Sequence, residues 1–167
     1  MTRVKFSALR DRPPLTGFVT YTRGEYSLDF LADSPADIGD RVGEGGVATV
    51  LIDDLQISLA AQSGQLLFAW GYEYCGRWAD GQVECPDWTE AAVFARDIEP
   101  WEPGTGRRVG ATPEWAAIYD AESGWVRFFD QRVGSATEDR YLIASDTVVG
   151  LVGSSLSSLW LRPVFED

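Results

Sequence analysis

The sequence predicts an all-β protein, in which successive antiparallel hairpins form a sandwich or a strongly curved, partly closed barrel. About ten short segments rich in β-branched and aromatic residues follow one another at hairpin spacing. Turn sequences containing Gly, Ser or Asp separate them, and no segment of about ten or more residues has the apolar pattern of an amphipathic helix. With 167 residues, 45% of them hydrophobic, the chain is expected to form a single domain over residues 1–167.

The first elements are predicted from prolines, turn residues and β-branched runs. Residues 1–14 end in Pro13-Pro14 and are expected to form an arm or an edge strand, because consecutive prolines interrupt a hydrogen-bonded ladder. Residues 15–21 and 25–31 should form a hairpin. Residues 32–46 are predicted as a loop that allows a short helical turn after Ser34-Pro35, and residues 47–52 as a buried strand.

Residues 55–88 are predicted to be the organising centre, as two consecutive hairpins. A two-residue turn at Ser63-Gly64 would put alternate side chains of the strand that follows it, from Leu66 to Tyr74, on one apolar face. Of these side chains only Tyr74, beside Asp53, should emerge at the rim. The expected cross-strand pairs are Leu59 with Phe68, Ile57 with Trp70 and Leu55 with Tyr72. We therefore expect Ile57, Leu59, Phe68 and Trp70 to be buried together.

The second of these hairpins is expected to turn at Ala79-Asp80-Gly81. That turn would place Cys75 opposite Cys85, near enough to bridge under oxidation. Two free thiols are nevertheless favoured, because disulfides are rare in the reducing cytoplasm.

The rest of the chain is predicted as strands joined by turns and two loops. Residues 89–98 are ambiguous but favour a strand, and residues 99–112 should be a long surface loop with an exposed Trp101. A hairpin is expected across Ser123-Gly124, where the turn Ala121-Glu122-Ser123-Gly124 matches residues 61–64 at three of four positions. The remaining predictions are a polar loop at 131–140 and strands at 141–145, 147–152 and 156–162, with Pro163 ending the last ladder.

The net charge of −12 is concentrated in one part of the chain. Residues 25–102 carry 16 acidic side chains and three arginines, a net charge of −13. This charge argues against direct binding to nucleic acid or to an anionic membrane, and it leaves two interpretations, solubility or a docking face for a basic partner. A cytoplasmic location is expected, since the first residues lack a signal-peptide pattern and no stretch has the length and apolarity of a membrane span.

The residue types present exclude most common catalytic centres. The chain has no histidine, which removes Ser-His-Asp and Cys-His catalysis and the usual metal-ligand sets. It also has no glycine-rich phosphate loop, so no enzyme activity, cofactor or metal is predicted. The alternative that stays open is a carbohydrate-binding or carbohydrate-cleaving domain, whose carboxylates would come from Glu73, Glu84, Asp87 and Glu90 near Trp78 and Trp88.

A family resemblance extends from Val50 to Pro163. It is carried by the successive segments VLIDDLQISLAAQSGQLLFAWGYEY, WAAIYDAESGWVRFF and VVGLVGSSLSSLWLRP. Their order resembles the small, acidic, mostly-β immunity proteins encoded beside bacterial polymorphic toxins. The resemblance implies a non-catalytic cytoplasmic protein, monomeric before complex formation, that binds and occludes a cognate toxin domain.

The partner-binding surface is predicted where acidic and aromatic side chains share the central hairpins and the loop that follows them. A basic toxin domain would be attracted by the carboxylates and held by the aromatic rings. A DNA-mimicking nuclease inhibitor is a further alternative based on the same charge. The predicted binding residues are Asp53, Asp54, Glu73, Glu84, Asp87, Trp88, Glu99, Trp101 and Glu102.

Overall fold

A computed structural model of the chain describes residues 4–109, 115–134 and 137–167. These residues contain fifteen strands, one α-helix (α1, Pro35–Val42) and a 3₁₀ turn at Cys75–Arg77. The first eight strands are β1 (Lys5–Arg10), β2 (Gly17–Thr22), β3 (Ser27–Ala32), β4 (Val47–Ile52), β5 (Leu55–Ala60), β6 (Leu66–Tyr72), β7 (Ala79–Asp80) and β8 (Thr89–Arg96). The others are β9 (Gly106–Arg108), β10 (Trp115–Tyr119), β11 (Val126–Asp130), β12 (Asp139–Ala144), β13 (Thr147–Val152), β14 (Ser155–Leu161) and β15 (Val164–Glu166).

The strands form two sheets that pack together around a shared core, which confirms the prediction of an all-β sandwich. One sheet has eight strands in the order β1-β8-β12-β13-β14-β11-β10-β7, and the other has seven in the order β15-β2-β3-β6-β5-β4-β9. Fully buried aliphatic side chains of both sheets, such as Ile57 and Leu159, belong to the same cluster. No helix in the described parts of the chain is long and apolar enough to cross a membrane.

Most of the predicted hairpins are present, but the sheets are mixed rather than purely antiparallel. Predicted hairpins form between β2 and β3, β10 and β11, and β13 and β14, and β1 is an edge strand as expected. A further hairpin, which was not predicted, joins β4 and β5. Strand β8 confirms the interpretation of residues 89–98. Four pairings are parallel within the described residues: β7 with β10, β12 with β8, β9 with β4 and β15 with β2.

The register predicted for β5 and β6 is wrong by one residue. The connection is a four-residue loop in which the Gly64 N–H donates to the Ala60 carbonyl oxygen at 2.7 Å. Together with a bulge between Ser58 and Leu59, this loop pairs Ser58 with Phe68 and Gln56 with Trp70. Ile57 and Leu59 are fully buried, whereas Phe68 and Trp70 are only half-buried, on the face opposite Ile57. The four residues therefore do not form the predicted buried set.

The same four-residue turn closes the hairpin of β10 and β11. Here the Gly124 N–H donates to the Asp120 carbonyl oxygen at 2.8 Å. Gly64 and Gly124 both have a φ of 81°, in the left-handed region that glycine adopts most easily. The similarity of the two turn sequences thus corresponds to one shared geometry.

The second predicted hairpin of the central stretch does not form. Residues 75–77 make a 3₁₀ turn, and β7 pairs in parallel with β10 instead of turning back on itself. The physical reason is the burial of Trp78, whose side chain is only 9% exposed. Its ring packs against aromatic rings of both sheets, and this packing holds residues 75–80 against the sandwich. These rings belong to Tyr21, Phe165, Tyr119 and Phe128. Cys75 and Cys85 are both free thiols, as favoured.

Three smaller expectations also change. The predicted loop at 32–46 contains the eight-residue helix α1, which begins at Pro35 in the position where proline is best tolerated. The predicted loop at 99–112 contains β9, and its last residues, 110–112, lie outside the described residues. Pro163 ends β14, but the chain then crosses to the other sheet as β15.

The two matched turns allow a direct test of the fold. Gly124→Ala should cost about 1 to 2 kcal/mol of unfolding free energy through left-handed strain alone, because its Cβ would meet only the flexible Arg162 side chain, at an ordinary van der Waals distance of 3.5 Å. Gly64→Ala should cost clearly more, since its methyl group would also collide with the backbone carbonyl oxygen of Ala95. Urea unfolding measures both. Equal losses for the two variants would contradict the close contact between Gly64 and Ala95 of β8.

Candidate functional site

Two acidic segments meet at one end of the seven-stranded sheet. Asp53 and Asp54 form the two-residue turn between β4 and β5, with Asp53 at a φ of 51°. Gly71, at a φ of 140°, lies opposite Leu55 in β6, and a Cβ on it would be 2.7 Å from the Asp54 carbonyl oxygen. Only glycine lets β6 pass this close to the turn. Glu73, two residues further on, is therefore brought to the same end of the sheet.

These carboxylates line a cleft of about 330 Å³ that we call the acidic cleft. Its charged lining consists of Asp53, Asp54, Glu73, Arg77 and Arg108. Its apolar lining includes Leu55 on the seven-stranded sheet and Trp115 and Phe128 on the eight-stranded sheet. The cleft thus lies between the two sheets, with acidic groups beside an aromatic floor.

A second concave surface adjoins the acidic cleft and carries three exposed tyrosines. The two concavities share Asp53, Asp54, Glu73 and Arg77 in their linings. The tyrosine rim consists of Tyr26, Tyr72 and Tyr74, which are 48%, 69% and 46% exposed. Tyr74 emerges beside Asp53 as expected, but the expectation that it alone would emerge is wrong, because the register leaves Tyr72 more exposed still.

Two of the three rings of the tyrosine rim contact each other, and the third, Tyr72, projects into solvent at the end of β6. The rings of Tyr26 and Tyr74 meet edge to face, with centroids 5.0 Å apart. The Glu73 N–H donates to the Tyr26 carbonyl oxygen at 2.7 Å, which ties the turn between β2 and β3 to the end of β6. Ordered, exposed tyrosines lose little conformational entropy on binding and are enriched at protein interfaces.

The charges of the acidic cleft are only partly compensated within the chain. Arg77 lies 3.6 Å from Asp54, but both side chains are more than half exposed, so this ion pair is weak. Burial raises the pKa of Asp53, and the Asp54 charge raises it further. Burial also raises the pKa of Glu73, against the lowering effect of Arg77. Both carboxylates would gain from a cation supplied by a partner.

The nine predicted binding residues fall into three groups, and the acidic cleft gathers only Asp53, Asp54 and Glu73. Glu84, Asp87 and Trp88 are exposed in the strand-free segment before β8. That segment packs near the turn of β10 and β11, where the Trp88 and Trp125 ring centroids are 6.2 Å apart. The predicted single face is therefore divided in space.

The third group lies in the loop before β9, where Trp101 is not the exposed residue that was expected. Its indole N–H donates to the Ala95 carbonyl oxygen at 2.9 Å, and the Arg107 guanidinium covers its ring at 4.5 Å. Glu99 and Glu102 remain exposed on either side of it. Trp101 therefore anchors its own loop, and only the two glutamates face solvent.

The carboxylates proposed for carbohydrate chemistry are also separated. Glu73 lines the acidic cleft, whereas Glu84, Asp87 and Glu90 are exposed and outside its described lining. Trp78 is buried in the core and offers no face for a sugar ring. No group of three or more Cys, Asp or Glu side chains in the described residues is arranged to hold a metal ion.

Sequence reasoning missed the contributions from distant strands. Tyr26, Arg108, Trp115 and Phe128 come from four separate parts of the chain. Tyr26 had a local signal, because it follows the turn residues Thr22-Arg23-Gly24 of the hairpin predicted for residues 15–21 and 25–31. The other three are brought in by pairings between distant strands that no local pattern reveals.

The burial of Glu73 predicts a pH-dependent effect on stability. Because its pKa is raised in the folded state, the folded protein binds the proton more tightly, so stability falls as pH rises above the ordinary glutamate value of 4.5. Glu73→Gln removes this titration, and it should be more stable than the wild type at pH 7 by a margin that disappears below pH 4.5. Urea unfolding across this range measures the difference.

Glu84→Gln, at an exposed glutamate outside the cleft, serves as the control and should stay within about 0.5 kcal/mol of the wild type throughout. A loss of stability at pH 7 in Glu73→Gln would show that the ionised carboxylate is instead satisfied within the fold.

Comparisons of the chain with protein-family models, with curated proteins and with solved structures find no match.

Proposed function

We propose that the protein is a non-catalytic immunity protein that binds and occludes a basic toxin domain through the acidic cleft and the tyrosine rim. The observation that carries the proposal is the junction of the two surfaces. Three carboxylates, of Asp53, Asp54 and Glu73, face two arginines in the cleft and adjoin three exposed tyrosines. Burial raises the pKa of Asp53 and of Glu73, so both would gain from a further cation. This combination suits a basic protein partner better than a nucleic acid or an anionic membrane, which the carboxylates would repel.

The two surfaces would play different parts in binding. The acidic charge increases the rate of encounter with a basic domain, an effect that salt screens over a Debye length of about 10 Å at 0.1 M. The tyrosines then bury apolar area and slow dissociation, as aromatic anchors do at the centre of interfaces. Inhibition requires no chemistry in this scheme, because the bound protein simply covers the toxin's own site.

The assignment to the immunity class and to the cytoplasm rests on the resemblance of residues 50–163 to such proteins. Two features of the molecule are compatible with it. Both cysteines are free thiols, the form expected in a reducing compartment. The acidic groups are concentrated in residues 25–102, which supply both the Asp53-Asp54 turn and Glu73.

The proposal is tested with two variants that remove the same number of charges. The first, Asp53→Asn with Asp54→Asn, neutralises the cleft and keeps a residue type that tolerates the left-handed backbone at position 53. The second, Glu84→Gln with Asp87→Asn, neutralises two exposed carboxylates of the separate group. The probe is the purified basic domain encoded at the same locus, and stopped-flow mixing at low and high salt measures the association rate.

The cleft variant should associate about tenfold or more slowly than the wild type at low salt, and the control variant should stay close to it. Tyr72→Ala should mainly increase the dissociation rate, because the ring is 69% exposed before binding. Equal effects of the two charge variants would indicate that the acidic side chains serve solubility and do not form a specific docking face. Normal binding by the cleft variant would contradict the proposed site.

A carbohydrate ligand is the second candidate, favoured by one observation. The acidic cleft places Asp53 and Glu73, both with raised pKa values, beside the ring of Trp115. Carboxylates next to an aromatic platform are the usual means of holding a sugar. Saturable binding or hydrolysis of an oligosaccharide in the absence of a protein partner, lost in Glu73→Gln, would favour this function over the first.

A further inference from the structure

Stacking of arginine on tryptophan recurs in this fold. The described residues contain four such contacts, namely Arg107 on Trp101, Arg162 on Trp125, and Arg127 and Arg140 both on Trp160. Three of these guanidinium groups also bond to a carboxylate: Arg107 to Asp97 at 3.2 Å, Arg140 to Glu138 at 3.0 Å and Arg162 to Asp146 at 2.9 Å. Arg127 stacks in the same way, but no carboxylate in the described parts of the chain bonds to it.

Aromatic rings contact the faces of the Arg127 guanidinium, while its edge has no hydrogen-bond partner among the described residues. The centre of its guanidinium is 5.0 Å from the Trp160 ring centroid and 4.8 Å from that of Phe129. Its Nε is buried and has no hydrogen-bond partner. Burial also lowers the pKa of Arg127, and the Glu138 charge, which acts in the opposite direction, does not offset it. A buried guanidinium N–H without a partner is costly and calls for an explanation.

The two carboxylates that line the same small pocket as Arg127 are already engaged by other groups. Asp130 accepts hydrogen bonds from Arg132 at 2.9 and 2.7 Å. Glu138, on the other side, accepts from Arg140, Ser157 and Ser158. Gly150 makes this possible, because a Cβ there would lie 2.6 Å from a Glu138 carboxylate oxygen. These bonds give both carboxylates partners other than Arg127.

A small pocket of about 100 Å³ opens beside Arg127. We call it the Arg127 pocket, and its lining includes Arg127, Asp130, Gln131, Glu138 and Ser157. It is too small for a sugar ring or a nucleotide but large enough for a single carboxylate or phosphate group. The three arginines Arg127, Arg132 and Arg140, counted against Asp130 and Glu138, give this region a net charge of +1 in a chain whose net charge is −12.

We propose that the Arg127 pocket binds a small oxyanion, a carboxylate or a phosphate, through the open edge of the Arg127 guanidinium. The planar fork of N–H groups matches two oxygens of such an anion, and stacking on Trp160 and Phe129 has already fixed its orientation. The pocket lies outside the described lining of the acidic cleft, so this proposal is independent of the proposed function.

The test is a titration of the ¹⁵N-labelled full chain with sodium phosphate and, separately, with sodium acetate, at fixed pH and ionic strength. Saturable shifts are expected at the Trp160 indole N–H and at backbone amides of residues 126–134. Arg127→Gln should weaken binding at least about tenfold, because it removes the charge-assisted bonds. Arg162→Gln is the matched control, since Arg162 also stacks on a tryptophan but already bonds to Asp146, and it should bind as the wild type does.

The two titrations distinguish the sources of the anion. Tighter binding of acetate assigns the pocket to a carboxylate, and tighter binding of phosphate assigns it to a phosphoryl group. Spectra of each variant check that the fold is retained, and the wild-type shifts locate the site even if Arg127→Gln does not fold. The proposal would be overturned if the wild type showed no saturable shifts, if the shifts were confined to other regions, or if a folded Arg127→Gln bound with equal affinity. The pocket would then hold only water.

Discussion

The register of β5 against β6 is the constraint on which the proposed site depends. A four-residue turn and a bulge between Ser58 and Leu59 place Leu55 opposite Gly71. Side chains alternate along a strand, so a slip of one residue would exchange the buried and outer faces of β6. It would also displace Glu73 from the Asp53-Asp54 turn. Two glycines permit the observed register, Gly64 in the turn and Gly71 beside the Asp54 carbonyl oxygen.

The floor of the cleft is part of the core, which gives the site a rigid base. Phe128 lines the acidic cleft and also packs edge to face on Trp78, with ring centroids 5.8 Å apart. Trp78 in turn contacts Tyr21 of one sheet and Tyr119 of the other. The carboxylates therefore lie on a preformed surface. The folded protein already bears the desolvation cost of these charges, so a cationic partner would add a favourable interaction.

The sequence predicted what is local and missed what depends on distant pairing. The fold class, the edge strand β1 and the hairpin of β2 and β3 follow from prolines, alternation and turn residues, and so does the shared turn motif of residues 61–64 and 121–124. The register failed because a four-residue loop and a two-residue loop share the same Ser-Gly signal. The hairpin at Ala79-Asp80-Gly81 failed because the burial of Trp78 outweighs local turn propensity. The acidic turn was anticipated, whereas Trp115 and Arg108 reach the cleft through strand pairings that no local pattern encodes.

The most direct test of the central claim is hydrogen–deuterium exchange of the free protein and of its complex with the basic domain encoded at the same locus. If the acidic cleft and the tyrosine rim form the interface, exchange should slow at residues 51–56 and 72–77 on binding. Residues 82–90, which carry Glu84, Asp87 and Trp88, should exchange at unchanged rates. Protection at 82–90 or 97–104 with none at 51–56 and 72–77 would contradict the account.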